Sequence, residues 1–391
     1  MPTNNRIFYA TQLVLLNPQN SDGSLIKGGS GPVWYSPRAV QTLGITTNFN
    51  LTEVFSIGQL EVYDQPEDLP DIEVTMTKVL DGTPLLYTMC MSGDTGADNE
   101  FPGVNGSGLT VVGNNRVNVQ VGLYPDTAES AFGTPDNFIS MSGMYLSSFT
   151  YTLGVDDNFT EDITLVGNHK VWGAGLGSTA QSHVLGFGNS NSRNVFDKND
   201  DNEYRASVQT SRRMNLDYVG SSFPEGRGGI NRPGSTKGGA ATDGDKPYYQ
   251  NITISSDLGR EEIRQLGQFD PYYRYITFPT EVTSEFEVVG SEGDYVDADD
   301  FAGVDACSST FTQLEDKTIS IKVCGVSGSV TFDLGSKNKL TSINYGGGDA
   351  GGDNVAISYS FRNFNSFSVD ASGSFADGNL CLSSLGEPPT E

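Results

Sequence analysis

Residues 45–63 read ITTNFNLTEVFSIGQLEVY, and residues 254–272 read ISSDLGREEIRQLGQFDPY. At a constant offset of 209 the two stretches share Ile45/Ile254, Glu53/Glu262, Gly58/Gly267, Gln59/Gln268 and Tyr63/Tyr272. Conservative swaps such as Thr46/Ser255, Asn48/Asp257, Val54/Ile263 and Glu61/Asp270 fill the intervals. The match runs on to Leu69-Pro70 against Phe278-Pro279, then moves by one residue to place Glu73-Val74-Thr75 on Glu281-Val282-Thr283. Farther along, at an offset of 194, Leu146, Tyr151 and Ile163 fall on Leu340, Tyr345 and Ile357. Between these blocks lie two strand-like runs, 116–124 and 317–326. Similar blocks in the same order at similar spacing point to one domain present twice in the chain.

The local pattern is that of strands with minor helix. Thr52 is placed to cap a short helix carrying Val54 and Ile57, with Gly58 free to take the left-handed conformation beyond its end; Ile263, Leu266 and Gly267 hold the same places in the second stretch. Another short helix is expected after Thr83-Pro84, at Leu85-Leu86-Tyr87. Apolar residues alternate at Ile72/Val74/Met76, Val117/Val119/Val121/Leu123, Ile319/Ile321/Val323, Val330/Phe332/Leu334 and Val355/Ile357/Tyr359/Phe361, the signature of half-buried strands. The fold expected is mainly β: two tandem antiparallel sandwich or barrel domains, at 1–175 and 204–375. A Gly/Asn/Ser-rich loop or linker at 176–203 joins them, and a tail at 376–391 closes the chain. Within 204–218, Val208, Met214, Leu216 and Tyr218 suffice for a further strand of the second domain.

The formal net charge is −26. Residues 1–175 carry −13 and residues 248–391 carry −14, around a nearly neutral middle at +1. So acidic a surface repels nucleic-acid phosphates rather than gripping them. No run approaches the roughly 20 apolar residues of a membrane helix, and no secretory leader is recognisable at the start, so synthesis in a reducing cytoplasm is expected. Cys90, Cys307, Cys324 and Cys381 lack metal-ligand or redox spacing and read as small buried hydrophobes.

Little chemistry is on offer. The two histidines, His169 and His183, read as surface or loop residues, and no nucleophile elbow, phosphate loop, zinc helix or dinucleotide fingerprint is present. Asp197, Asn199, Asp201 and Glu203 alternate like calcium-loop donors, but the sixth position is not Gly and the twelfth is Val208, so a solvated acidic loop is the stronger reading. The same holds for Asp294, Asp297, Asp299 and Asp300. Gly346 to Asn354, GGGDAGGDN, lacks the lysine of a phosphate cradle and reads as a hairpin loop. Neither an enzymatic role nor a cofactor is expected.

The stretch GITTNFNLTEVFSIGQLEVYDQPEDLPDIEVTMTKVLDG, its partner GREEIRQLGQFDPYYRYITFPTEVTSEFEV and the C-terminal SVTFDLGSKNKLTSINYGGGDAGGDNVAISY together resemble structural proteins of tailed bacteriophages, most of all tail tube proteins. The resemblance implies a sandwich-like subunit forming rings that stack into a hollow tube of the virion tail, assembled in the host cytoplasm. Its partners would be further copies of itself, in rings of three chains with six domains or of six chains. The tape measure protein and then DNA would pass through the lumen, with a sheath or a tail terminator outside or at the end. An acidic lumen wall would let DNA slide rather than stick. Two other readings compete: a double jelly-roll type capsid protein, and a virion carbohydrate-binding or glycan-cleaving β-protein, for which Trp34, Trp172 and Tyr272-Tyr273-Arg274-Tyr275 would be the stacking platforms.

Overall fold

The computed structural model describes residues 12–19, 27–28, 31–32, 37, 39–81, 85–91, 107–109, 115–125, 135–174, 215–218, 249–267, 271, 273–289, 316–324, 328–346 and 355–373. The first series of elements is β1 (Gln12–Gln19), β2 (Lys27–Gly28), β3 (Gly31–Pro32), β4 (Val40–Asn48), β5 (Val54–Phe55), β6 (Val62–Asp64), β7 (Asp71–Val79), α1 (Leu86–Met91), β8 (Ser107–Gly108), β9 (Arg116–Leu123), β10 (Asn137–Gly154), β11 (Thr160–Gly167) and β12 (His169–Ala174). The second is β13 (Asn215–Tyr218), β14 (Tyr249–Asp257), β15 (Glu261–Ile263), β16 (Tyr273–Tyr275), β17 (Glu281–Val289), β18 (Ser320–Cys324), β19 (Gly328–Asp333), β20 (Lys339–Gly346), β21 (Ala356–Phe364) and β22 (Ser368–Gly373). The protein is mainly β, as its composition and two-residue periods require.

One antiparallel sheet dominates, in the order β20-β21-β17-β14-β10-β11-β7-β4. Two four-strand runs compose it, β10-β11-β7-β4 and β20-β21-β17-β14, and β14 of the second lies against β10 of the first. Irregularities recur at corresponding places in the two runs. The β4–β7 ladder shifts between Val40 and Thr42, and β14–β17 between Tyr249 and Asn251, which is the interval that separates Ile45 from Ile254. The β10–β11 ladder shifts between Leu146 and Ser148, and β20–β21 between Leu340 and Ser342, the interval that separates Tyr151 from Tyr345. A bulge bends its strand and fixes register, so both runs carry the same local irregularity at the same ladders.

Three further strands belong to the same sheet off this path, eleven in all among the described residues. The first half of β10 pairs with β9 and β12, and β9 pairs with β1; apart from it, β13-β18-β19-β22-β8 forms a five-stranded sheet. The strand expected within 204–218 is β13, paired with β18 at Leu216↔Val323. Between the layers lies one continuous apolar core drawing on both stretches of the chain, including Val74, Phe149, Ile254, Phe286, Phe332 and Phe361. The expected faces hold: Ile72, Val74 and Met76 are buried, while Glu73 and Thr75 are exposed.

Three expectations are corrected. The segment after Thr52 is not helical: β5 pairs with β6, and β15 with β16, as short hairpins. Gly58 and Gly267 do take positive φ, +92° and +86°, but at the hairpin turns. Secondly, β9 is buried on both faces, as Asn118 and Gln120 are covered along with the valines. Asn118 donates to Asn17 Oδ1 (3.3 Å) and accepts from Gly143 N (3.0 Å), which makes its burial tolerable. Thirdly, ladder pairing relates β7 to β17 with Val74 matched to Ser284, because Ile45 pairs Val74 and Ile254 pairs Ser284. Ile163 likewise corresponds to Tyr359 rather than Ile357. Each slide carries a strand past its expected match by one full pleat, which preserves the buried face and is invisible to the alternation.

The helix expected near residues 85–87 is α1, with every residue buried. Its first-turn donors, Leu86 N and Tyr87 N, reach the Glu161 carboxylate at 2.7 and 2.8 Å, and Tyr151 Oη donates to the same group at 2.7 Å. Cys90 is a buried free thiol within this helix, and burial pushes its pKa up.

Candidate assembly surfaces

The eight-stranded sheet turns one face to the core and leaves the other open. In a ladder the side chains directly opposite one another share a face, so the open face can be followed across the sheet. One row runs Thr42, Thr77, Asp162, Thr150, Ser255, Thr283, Arg362, Lys339. The next runs Thr160, Thr152, Thr253, Glu285, Ser360, Ser342. Both rows are mostly hydroxyls and carboxylates, with two cations, Arg362 and Lys339, at the β20 end of the first. Hydroxyls bridge neighbouring strands, as in Ser255 Oγ to Thr283 Oγ1 at 2.8 Å and Thr77 Oγ1 donating to Asp162 Oδ1 at 2.5 Å. Glu73, Asp257, Glu281 and Glu287 add further acids to this face, whereas Arg362, 4.0 Å from Glu281, and Lys339, 2.8 Å from Asp316, are its cations.

The junction of the two strand runs is built like any other ladder of the sheet. Seven pairs join β10 to β14, from Ser148↔Asp257 to Gly154↔Asn251, and Leu258 N donates to Ser147 O at 2.8 Å beyond them. On the core side Phe149, Tyr151, Ile252, Ile254 and Leu258 are buried there. Tyr87, Phe149 and Tyr151 meet Phe332 and Phe367 of the second series in one aromatic cluster, with centroid separations of 4.6–6.5 Å. At the base of the second hairpin Arg260 Nε donates to Leu146 O at 2.6 Å, and its guanidinium lies over the Tyr145 ring. Burial there lowers the Arg260 pKa to about 10.

No described strand lies beyond β4 at one end of the sheet or β20 at the other. Apolar side chains are exposed at both ends and along the first hairpin: Phe49, Phe55, Ile57, Leu60 and Tyr345, with Leu266 at the tip of the second. The two hairpins are tied to one another. Arg264 bonds Asp68 (2.8 Å) and Glu262 (3.0 Å), while Arg274 bonds Glu262, Asn168 and Asp71. The Leu69 amide and Arg264 together hold the Asp68 carboxyl below its usual range.

The repeat-motif residues read from the sequence fall here. Glu53, Gly58, Gln59 and Tyr63 belong to the exposed first hairpin. Glu262 and Gly267 belong to the second, where Glu262 is the acceptor shared by two arginines; Gln268 and Tyr272 lie outside the described residues. The oxygen-donor series Asp197, Asn199, Asp201 and Glu203 also lies outside them, as do Asp294, Asp297, Asp299, Asp300, His183, Trp34, Cys307 and Cys381. His169 stands exposed on β12 with Nδ1 2.9 Å from Ser142 Oγ, and Trp172 of the same strand is exposed. Among the described residues no group of three or more His, Cys, Asp or Glu is placed to hold a metal ion, and no helix is long and apolar enough to cross a membrane. Comparison with protein-family models gives no match, and comparison with curated proteins gives none either.

The sequence did not indicate that β4 and β14 are strands of one sheet, or that β14 meets β10. The available signal was the recurrence of similar blocks in the same order, because blocks that recur in order can share their strand pairing as well.

Proposed function

We propose that the chain is a structural subunit of a bacteriophage tail tube, two tandem copies of one antiparallel β domain per chain, forming rings that stack around a channel for DNA. The observation that carries this reading is the eight-stranded sheet made of two alike four-strand runs, each bulged at the same two places. Duplication of one domain accounts for that recurrence with a single event. Three such chains would supply six domains, and the resemblance of the quoted motifs to tail tube proteins supplies the form of the assembly.

The open face supports the lumen assignment. A wall of hydroxyls and carboxylates repels phosphate only within about a Debye length, ~8–10 Å at physiological salt, so it discourages adhesion without blocking the channel. Further copies of the chain, the tape measure protein and passing DNA are the partners in this reading, with the virion tail as its location. A double jelly-roll capsid subunit would keep its two sandwiches as separate sheets, whereas here one sheet runs through both runs of strands.

Electron microscopy of the purified chain at high concentration, or of virions that contain it, tests the proposal. Stacked rings with three-fold or six-fold symmetry around an open centre are expected. Flat lattices or closed shells would overturn it.

A further inference from the structure

We infer that β20 of one chain pairs antiparallel with β4 of a second copy, in the register that β10 and β14 already use inside the chain. The inference rests on the self-assembly part of the reading above, and it does not require that the assembly be a tube. Its ground is positional. Within the sheet β10 corresponds to β20, and β14 to β4, so the intramolecular junction joins the counterparts of the two strands that end the sheet. Whatever geometry brings β14 to β10 is therefore available for bringing β4 of the next chain to β20.

The repeat makes the register explicit. Replacing each residue of β10 by its counterpart in β20, and each residue of β14 by its counterpart in β4, converts Ser148↔Asp257 into Ser342↔Asn48, and Thr150↔Ser255 into Asn344↔Thr46. Phe149↔Ser256, Tyr151↔Ile254 and Thr152↔Thr253 become Ile343↔Thr47, Tyr345↔Ile45 and Gly346↔Gly44. The flanking bond from Leu258 N to Ser147 O becomes Phe49 N to Thr341 O.

Burial argues the same way. Tyr151 and Leu258 are fully buried at the internal junction, but their counterparts Tyr345 and Phe49 are 55% and 67% exposed. Ile252 and Ile254 are buried as well, whereas Leu43 and Ile45 are only partly covered. The exposed apolar groups thus sit where an added strand would cover them. The guards that the edges carry, the bulges at Val40/Thr42 and Leu340/Ser342 and the lysine Lys339, stand at the start of each strand, and β10 carries the same bulge at Leu146/Ser148 where it begins to pair with β14. No charge or proline occurs from Gln41 to Asn48, or from Leu340 to Gly346. Because the two surfaces differ, the contact is head-to-tail, which closes into a ring or runs on as a filament but does not stop at a two-fold dimer.

Cysteine cross-linking tests the register. The pair T150C/S255C spans the internal junction and should form a disulfide within one chain under mild oxidation. Its counterpart T46C/N344C lies at the two far ends of the sheet, about 30 Å apart over seven strand spacings, so it can link only between chains. Covalent dimers, trimers or longer ladders are expected from it on non-reducing gels of concentrated protein. The pair T46C/S342C, displaced by one pleat, should give at least ten-fold less, as its diagonal separation of about 7–8 Å exceeds what a disulfide spans. The unsubstituted chain, with its four native cysteines, is the blank. If the internal pair links and T46C/N344C gives no interchain product, or no more than T46C/S342C, the inference is overturned; failure of the internal pair would overturn its template. Interchain links without stacked rings in the microscope would uphold the strand pairing and remove the tube.

Discussion

Glu161 shows how one residue can differentiate the two four-strand runs of one sheet. Ladder correspondence places Ile357 and Val288 where the first run of strands has Glu161 and Lys78. The charged pair exists because α1 abuts the first run: Glu161 takes both leading helix amides and the Tyr151 hydroxyl, and Lys78 Nζ bonds Asp81 at 2.6 Å. Replacing Glu161 with Ala leaves two buried amides and a phenol unsatisfied, and is expected to cost about 3–5 kcal/mol by denaturant unfolding. A loss below about 1 kcal/mol would show that water or neighbouring groups take over these bonds. Burial holds the Glu161 carboxyl above its ordinary value of 4.5, outweighing the Tyr87 amide, Lys78, Tyr151 and the Leu86 amide, which pull it down. Folding therefore favours the protonated form. The contribution of this group is fully present below pH 4.5 and declines as pH rises through its raised folded value. The stability gap between wild type and Glu161→Ala should accordingly narrow as pH rises above 4.5, read as converging urea midpoints.

At the scale of elements, the aromatic cluster decides whether the two series of strands unfold together. Phe367, just ahead of β22, stacks on Phe149 of β10 at 4.7 Å and meets Tyr87 of α1 edge-on at 5.4 Å, while its carbonyl accepts from Leu109 N. Phe367→Ala should cost about 3–5 kcal/mol. Combined with Phe149→Ala it should show a coupling of about 0.5–3 kcal/mol in a double-mutant cycle, because each ring fills the space beside the other. Strict additivity would mean that the two series are stabilised separately. None of this could be read from the sequence, because Phe149 and Phe367 belong to opposite halves of the chain and no local pattern links them. What could be read was local: the alternation in β7, β18, β19 and β21, and the helix at residues 86–91. The hairpin after Thr52 is not legible in the sequence, because Val54, Ile57 and Gly58 satisfy a capped helix as well as a β turn, and the apolar pair faces outward rather than into a core. Periodicity presumes a buried face, and an exposed hairpin has none to report. The slides by one pleat had the same origin, since burial fixes the parity of a strand and leaves its exact partner to long-range pairing.

For the whole molecule, the distribution of charge matters more than its total of −26. A sheet open on one face usually carries both signs there, and cations opposite carboxylates strengthen cross-strand pairs. Here the open face is populated by hydroxyls and six carboxylates, Glu73, Asp162, Asp257, Glu281, Glu285 and Glu287, against two cations, Arg362 and Lys339, both at its β20 end. Such a surface gives up pairing energy and obtains a wall that polyanions do not wet. If duplex DNA meets this face, the wild-type assembly should not retain it even at about 50 mM salt, where phosphate contacts are strongest. Converting Glu73, Glu285 and Glu287 to Lys reverses the charge at three positions of the face without touching the buried side of β7 or β17. That variant should bind duplex DNA, with log affinity falling against log salt at a slope of about −3 for three neutralised phosphates. Filter binding across a salt series reads both numbers. Retention of DNA by the wild type at low salt would mean that the acids of this face do not set its behaviour towards nucleic acid. A lysine variant that stays indifferent would mean that DNA meets some other surface of the assembly.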